Sequence, residues 1–174
     1  TAIFNGKAFG MPADVSYDGN GKQNFFIPEG SYKRSFKQFD FGVAVYGNGG
    51  MNTSYAKNPN FGTGKAGVDY QQLFVAPTLS YKLNENHSIG ASANLVYHKF
   101  KAEGLHNFDN ARFSANPGHV TNNGYDSSTG IGVSLGWYGK IAPNVSMGVA
   151  YRSKVNMGKL DQYSGLFANS GEFD

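Results

Sequence analysis

The sequence predicts an all-β protein: an antiparallel barrel that crosses a membrane with strands, about seven of which lie in these residues. Three observations predict it. Apolar and polar side chains alternate over runs of ten residues or more, the period of a strand with two different faces. The runs are joined by tight turns at one end and long polar loops at the other, the layout of an outer-membrane barrel. No stretch reaches the ~20 consecutive apolar residues of a membrane helix, which leaves strands as the only means of crossing.

The composition agrees. The 174 residues include 24 Gly, 14 Phe and 11 Tyr with no Cys, a balance that suits strands and excludes disulfides and thiolate chemistry. A net charge of +3 spread along the chain makes no basic cluster, and the aromatics do not interleave with Lys or Arg, so no nucleic-acid partner is expected. The first residues, TAIFNGKAFG, lack the pattern of a signal peptide.

Taken in order, strands are expected near 1–12, 22–36, 38–48, 68–83, 87–103, 128–141 and 145–158. The first two alternate poorly, and Pro28 interrupts the second. In 68–83 the odd positions from Leu73 read Leu73, Val75, Pro77, Leu79, Tyr81, against Gln72, Phe74, Ala76, Thr78, Ser80. In 87–103 Ile89, Ala91, Ala93, Leu95 and Tyr97 oppose Ser88, Gly90, Ser92, Asn94, Val96 and His98. In 128–141 Ile131, Val133, Leu135 and Trp137 oppose Gly130, Gly132, Ser134, Gly136 and Tyr138. In 145–158 Val145, Met147, Val149, Tyr151, Val155 and Met157 oppose Ser146, Gly148, Ala150, Arg152, Lys154 and Asn156. Odd positions are therefore expected to face lipid and even ones a lumen. A soluble sandwich or lipid-binding barrel also alternates, but its polar face would meet water and carry many charges, whereas this one is mostly Gly, Ser, Ala and Asn.

Asn84-Glu85-Asn86 and Ala142-Pro143-Asn144 are the tight turns. Residues 50–67 and 105–128 are the long loops, the second with a short helix expected around 107–114. Tyr97, Trp137 and Tyr151 are placed as interfacial aromatics. The chain reads as one partial barrel domain over 1–174, without linker or tandem repeat.

No enzyme is expected. His87, His98, His106 and His119 lack metal-ligand spacing, no acidic pair shares a strand, and the phosphate-loop look-alikes GNGG and GTGKAG do not open helices. No metal or other cofactor is implied.

The segments FGVAVYGNGGMNTSY (41–55), LFVAPTLSYKLNENHSIGASANLVYHKFKAEGL (73–105) and STGIGVSLGWYGKIAPNVSMGVAYRSKVNMGKLDQYSGLF (128–167) resemble, in the family's order, strands of the FadL/TodX outer-membrane transport proteins. The resemblance implies a fourteen-stranded barrel plugged by an N-terminal hatch with an Asn-Pro-Ala motif. The chain would begin just after that hatch and stop in the loop GLFANSGEFD, a fragment of about half the barrel. It further implies passive uptake of long-chain fatty acids or other hydrophobic compounds across the outer membrane of a Gram-negative bacterium, with outer-membrane lipid and lipopolysaccharide as surroundings. Ligand would be taken up by extracellular loops and released sideways through a kinked strand. The kink falls at Gly47, Gly49 and Gly50, where missing Cβ atoms permit a bulge. Phe100, Phe108 and Phe113 are candidate ligand contacts, and Arg152 and Lys154 candidate lumenal cations. The arginine that family members use for a carboxylate falls near Gly104, which leaves the choice between a fatty acid and an aromatic hydrocarbon open. The alternative is a general porin or a structural or receptor barrel.

Overall fold

The computed structural model describes residues 3–6, 15–60 and 62–167. Strands β1 (Ile3–Gly6) and β2 (Val15–Asp18) form a two-stranded antiparallel ribbon. A larger sheet runs β3 (Glu29–Ser35), β4 (Phe39–Tyr55), β5 (Ala66–Lys82), β6 (His87–Glu103), β7 (Asp126–Ala142) and β8 (Val145–Arg152), each paired with the next, and β9 (Asn156–Met157) rejoins β7. Every strand pairing in this sheet is antiparallel, Asn20 makes an isolated parallel bridge to Ser54, and among the described residues the sheet does not close on itself.

Four of these strands, β4 to β7, are 17 residues long, about three times a typical soluble strand. The pairing of β5, β6 and β7 puts residues of like parity side by side, so Val75, Leu95 and Ile131 form one row. The two faces are the reverse of a soluble protein's. Leu79, Leu95, Ile131 and Leu135 are 44–54% exposed on the odd face. On the even face Asn94 and His98 are 2% and 1% exposed. Water would penalise so large an apolar surface; the hydrocarbon of a bilayer would not.

At the tight-turn end, Phe39, Tyr81, Ile89, Trp137 and Val149 form one outward row. Tyr97 lies in a row with Leu73 and Thr129 near the other end. From Ile89 to Tyr97 the strand rises about 26 Å, close to the height of a barrel's apolar band. Tyr151 pairs with Leu135, one row inside the Trp137 row on its face and so within the band.

The turns close as their residues suggest. Asn84 Oδ1 accepts from the Asn86 and His87 N–H groups at 2.8 and 2.9 Å, and the Leu83 N–H donates to the His87 carbonyl. Pro143 and Asn144 make the turn into β8, since proline presets the turn dihedral and has no N–H to lose.

The loops fold inward over the even face at the long-loop end. Phe100 and Ala102 of β6 are buried against Leu160 and Tyr163, joined by Val68, Tyr70, Leu105, Leu166 and Phe167. The Ala102 N–H donates to the Tyr163 hydroxyl, which donates in turn to the Gly124 carbonyl. The Gly165 N–H donates to the His119 carbonyl. These bonds fasten residues 105–125 to the segment after β9.

Several sequence expectations are corrected. In the span 1–12 the described residues, Ile3–Gly6, are strand as expected and the rest lies outside the described residues, but a further strand, Val15–Asp18, pairs with them. The strand expected at 22–36 is confined to Glu29–Ser35, because Pro28 cannot donate to a ladder. The strand expected at 38–48 continues through its glycines to Tyr55, which shortens the following loop to 56–65. The helix expected around 107–114 is a 3-10 turn over His106–Phe108 followed by an irregular turn; its Asn and Asp side chains bond nearby backbone instead.

The last strand is broken after Arg152. Three residues, Ser153 to Val155, stand opposite two on β7, Gly132 and Val133. The extra residue shifts parity, so Met157 pairs with Gly130 and belongs to the even face, not the odd one. Val155 and Met157 both lie over Gly130, where a Cβ would meet Met157 Sδ and Val155 Cγ1.

Candidate functional site

The candidate residues fall at three levels of the wall. Highest are Phe108, at the end of the 3-10 turn, and Phe113. Their rings meet edge to face at 5.5 Å, and they remain 41% and 60% exposed. The loop holds them through the Asn107 Nδ2 donation to the Asn60 carbonyl and the Gly118 N–H donation to Asp109 Oδ1. The Arg112 guanidinium stands 5.6 Å from the Phe113 ring; pattern reasoning missed this cation because its ring contact depends on how the loop turns.

Phe100 does not join that pair. It is 4% exposed, edge to face with Tyr163 at 4.9 Å and Phe167 at 5.0 Å, and forms the buried floor beneath the loops. Burial also raises the pKa of the Tyr163 hydroxyl in this floor, keeping it protonated as a donor.

Arg152 pairs with Ser134, in the row of Ser92 and Thr78. That row is eight residues of β6, about 26 Å, below Phe100. It is polar: Asn94 Nδ2 donates to Ser134 Oγ at 2.8 Å, and Thr78 and Ser92 share a hydrogen bond of 2.6 Å. Lys154 lies in the bulge, where the alternation of β8 no longer assigns a face.

The glycines of β4 lie at the middle level, beside Tyr97, His98 and Lys99. Asn48 is an extra residue between Gly47, opposite Leu73, and Gly49, opposite Gln72. Beyond it Met51, Thr53 and Tyr55 share a face with even residues of β5. The other edge of β4 changes at the same place. β3 accompanies β4 only to Glu29 opposite Tyr46, and the Gly47 N–H donates to the Pro28 carbonyl. The next contacts are Gly19 and Gly21 with Ser54. Among the described residues, 49–53 have no ladder partner on that side. Residues 49–53 are level with His98–Ala102, so this unpaired edge begins at the outer rim of the apolar band, just past the Tyr97 row.

Phe25, Phe26 and Ile27, all exposed, lead into this break. The Ile27 methyl would lie 2.9 Å from a Cβ on Gly47, whereas Cβ atoms on Gly49 and Gly50 would make ordinary contacts with Gln72 and Tyr70. Glycine is thus sterically needed at 47 more than at 49 or 50.

Gly104, near the family arginine's expected position, has φ +86°, and a Cβ there would come 2.5 Å from the Ala66 Cβ. Its carbonyl accepts from Asn58 Nδ2. A side chain has no room at this position.

Residues 11–172 match the family model described as outer membrane protein transport protein (OMPP1/FadL/TodX). The chain belongs to this family. A crystal structure of a Pseudomonas aeruginosa FadL homologue superposes with a TM-score of 0.57 at 21% identity, covering 84% of this chain and 36% of that one. The fold is therefore that of part of a FadL-type barrel, and the chain spans about a third of that protein's length. A comparison with curated proteins finds no match. Members of the family are outer-membrane transport proteins rather than enzymes.

Proposed function

We propose that the complete protein passively carries hydrophobic compounds, such as fatty acids or aromatic hydrocarbons, across the outer membrane, and releases them sideways through the wall at Gly47–Gly50. One observation carries the reading: a ladder of constant register through β5, β6 and β7, apolar on its outer face, gives way, at a bulge flanked by glycines, to an edge with no described partner. Such an edge can part without breaking strand hydrogen bonds. The exposed Phe108–Phe113 pair supplies an apolar first contact for a ligand leaving water. Arg112 beside it neutralises a carboxylate on arrival; Arg152, about 17 Å below the exit row, meets only a ligand that goes deeper into the lumen, and an uncharged hydrocarbon needs neither.

The test is Gly49→Val/Gly50→Val in the full-length protein. Both positions have space for a Cβ, and valine suits a strand, so the barrel should resist heat at least as well as the wild type. Uptake of labelled fatty acid or toluene by cells should be lost. Normal uptake would place the exit elsewhere.

A further inference from the structure

We infer that the outer wall holds a site for one phosphorylated, multiply acylated glycolipid of the outer leaflet, with an acyl chain in a groove across β5, β6 and β7 and a phosphate on Lys99 and Lys101. The inference goes beyond the transport path, and depends only on the outward orientation of the odd face.

The groove is about 470 Å³ and is lined by Leu73, Val75, Leu95, Tyr97, Ile131 and Asn156. All six are on the outward side: Leu73 is paired with Tyr97, and Val75, Leu95, Ile131 and Asn156 make one row. It is shallow and open, so it seats a chain against the wall without enclosing it. The bulge after Arg152 is responsible for its shape. β8 leaves the ladder at Ser134, and its continuation returns in a shifted register that brings Asn156, not an apolar side chain, beside Ile131. Thr129, also in the lining, is short next to Tyr97.

Immediately above the groove, toward the long loops, the face becomes charged. Lys99 is opposite Gln71 and Ser127, and Lys101 is opposite Asp69. Both are outward, one and two alternate positions beyond Tyr97, about 7 and 13 Å along the strand. A lysine that merely reached for water would hold its ammonium free. Here both ammonium groups are gathered over one ring, 3.8 and 5.1 Å from the centre of Tyr125. That ring is itself fixed: the Tyr125 hydroxyl donates to Asp69 Oδ2 at 2.7 Å, and Asp69 is paired with Lys22 at 2.7 Å. The bond to the Asp69 carboxylate, with burial, pushes the Tyr125 pKa up to about 12, so the hydroxyl stays a donor.

The carboxylates on this outward face are Asp69, held by Lys22, and Glu103, held by Lys101 at 3.1 Å, while Asp126 is opposite Phe100 on the even side. Lys99 has no ion pair among the described residues, and three lysines face two carboxylates. A fixed pair of cations just past the aromatic row, over an apolar groove, matches a molecule with phosphate and acyl chain in that order. Free phosphate would leave the groove without a role. Cations at this height also favour anionic head groups in general, so the test must separate phosphorylated glycolipid from other lipid.

The full-length protein, purified in detergent, is titrated with bisphosphorylated lipid A, with its dephosphorylated form and with phosphatidylglycerol, and bound lipid is counted by native mass spectrometry. The expected result is one bisphosphorylated lipid A per barrel, at least tenfold preferred over the other two. Lys99→Gln/Lys101→Gln should lower its occupancy at least tenfold, and Lys99→Arg/Lys101→Arg should restore it. Thr129→Phe, which fills the groove while staying apolar, should also reduce binding. Heat-modifiable gel migration checks the fold of each variant. Equal binding of dephosphorylated lipid A or of phosphatidylglycerol overturns the inference even if a variant misfolds, as does a folded Lys99→Gln/Lys101→Gln protein that keeps its lipid.

Discussion

The wall built by β5, β6 and β7 and the strands on either side of it, β4 and β8, follow different rules. Within the first group the ladders run in constant register from Gly67 to Gly139, and odd residues face outward throughout. β4 and β8 each carry one extra residue, at Asn48 and between Arg152 and Asn156, and past it their faces exchange. The uniform region provides the membrane-crossing surface. The interrupted ones leave β4 without a described ladder partner on one side at 49–53 and make a groove beside Ile131, because a bulge bends its strand and re-aims the side chains beyond it.

The strongest way to break this contrast is to put the irregularity where it does not belong. One alanine inserted between Asn94 and Leu95 would turn the apolar positions of half of β6 inward, and assembly should fail, seen as loss of heat-modifiable migration. The same insertion next to Asn48 should leave a folded barrel. A milder test uses charge. Val133→Arg should cost about 2–4 kcal/mol near the bilayer midplane, measured by reversible folding into lipid vesicles. Ser134→Arg, one residue away on the lumenal face, should cost about 1 kcal/mol, mainly the hydrogen bond from Asn94. Equal costs would remove the distinction between faces.

The glycines sharpen it further. Gly104→Ala combines φ +86° with a 2.5 Å approach to Ala66 and should cost about 1–3 kcal/mol. Gly118→Ala has φ +88° but open space around it, and should cost about 1 kcal/mol. The smallest effect on stability is expected from Phe108→Ser/Phe113→Ser, since both rings are exposed. Its melting behaviour should match the wild type within error while uptake of a hydrophobic ligand falls. Unchanged uptake would separate this aromatic pair from the path.

Alternation, turn residues and strand length are local properties, and the sequence alone was enough to determine an all-β membrane wall, its two faces, its tight turns and the three long strands β5, β6 and β7. Residue type along one strand reports which environment each face meets, so Leu95 and Asn94 could be assigned without a partner strand. Register could not be read this way. Whether Tyr55 continues β4, whether Met157 turns inward, and whether Phe100 is floor or ligand contact each depend on the strand or loop lying opposite. A single inserted residue costs little locally yet reverses every side chain after it. The gathering of Lys99, Lys101 and Lys22 around Tyr125 and Asp69 joins residues as much as 103 positions apart in number, Lys22 to Tyr125, so only the assembled sheet could decide it.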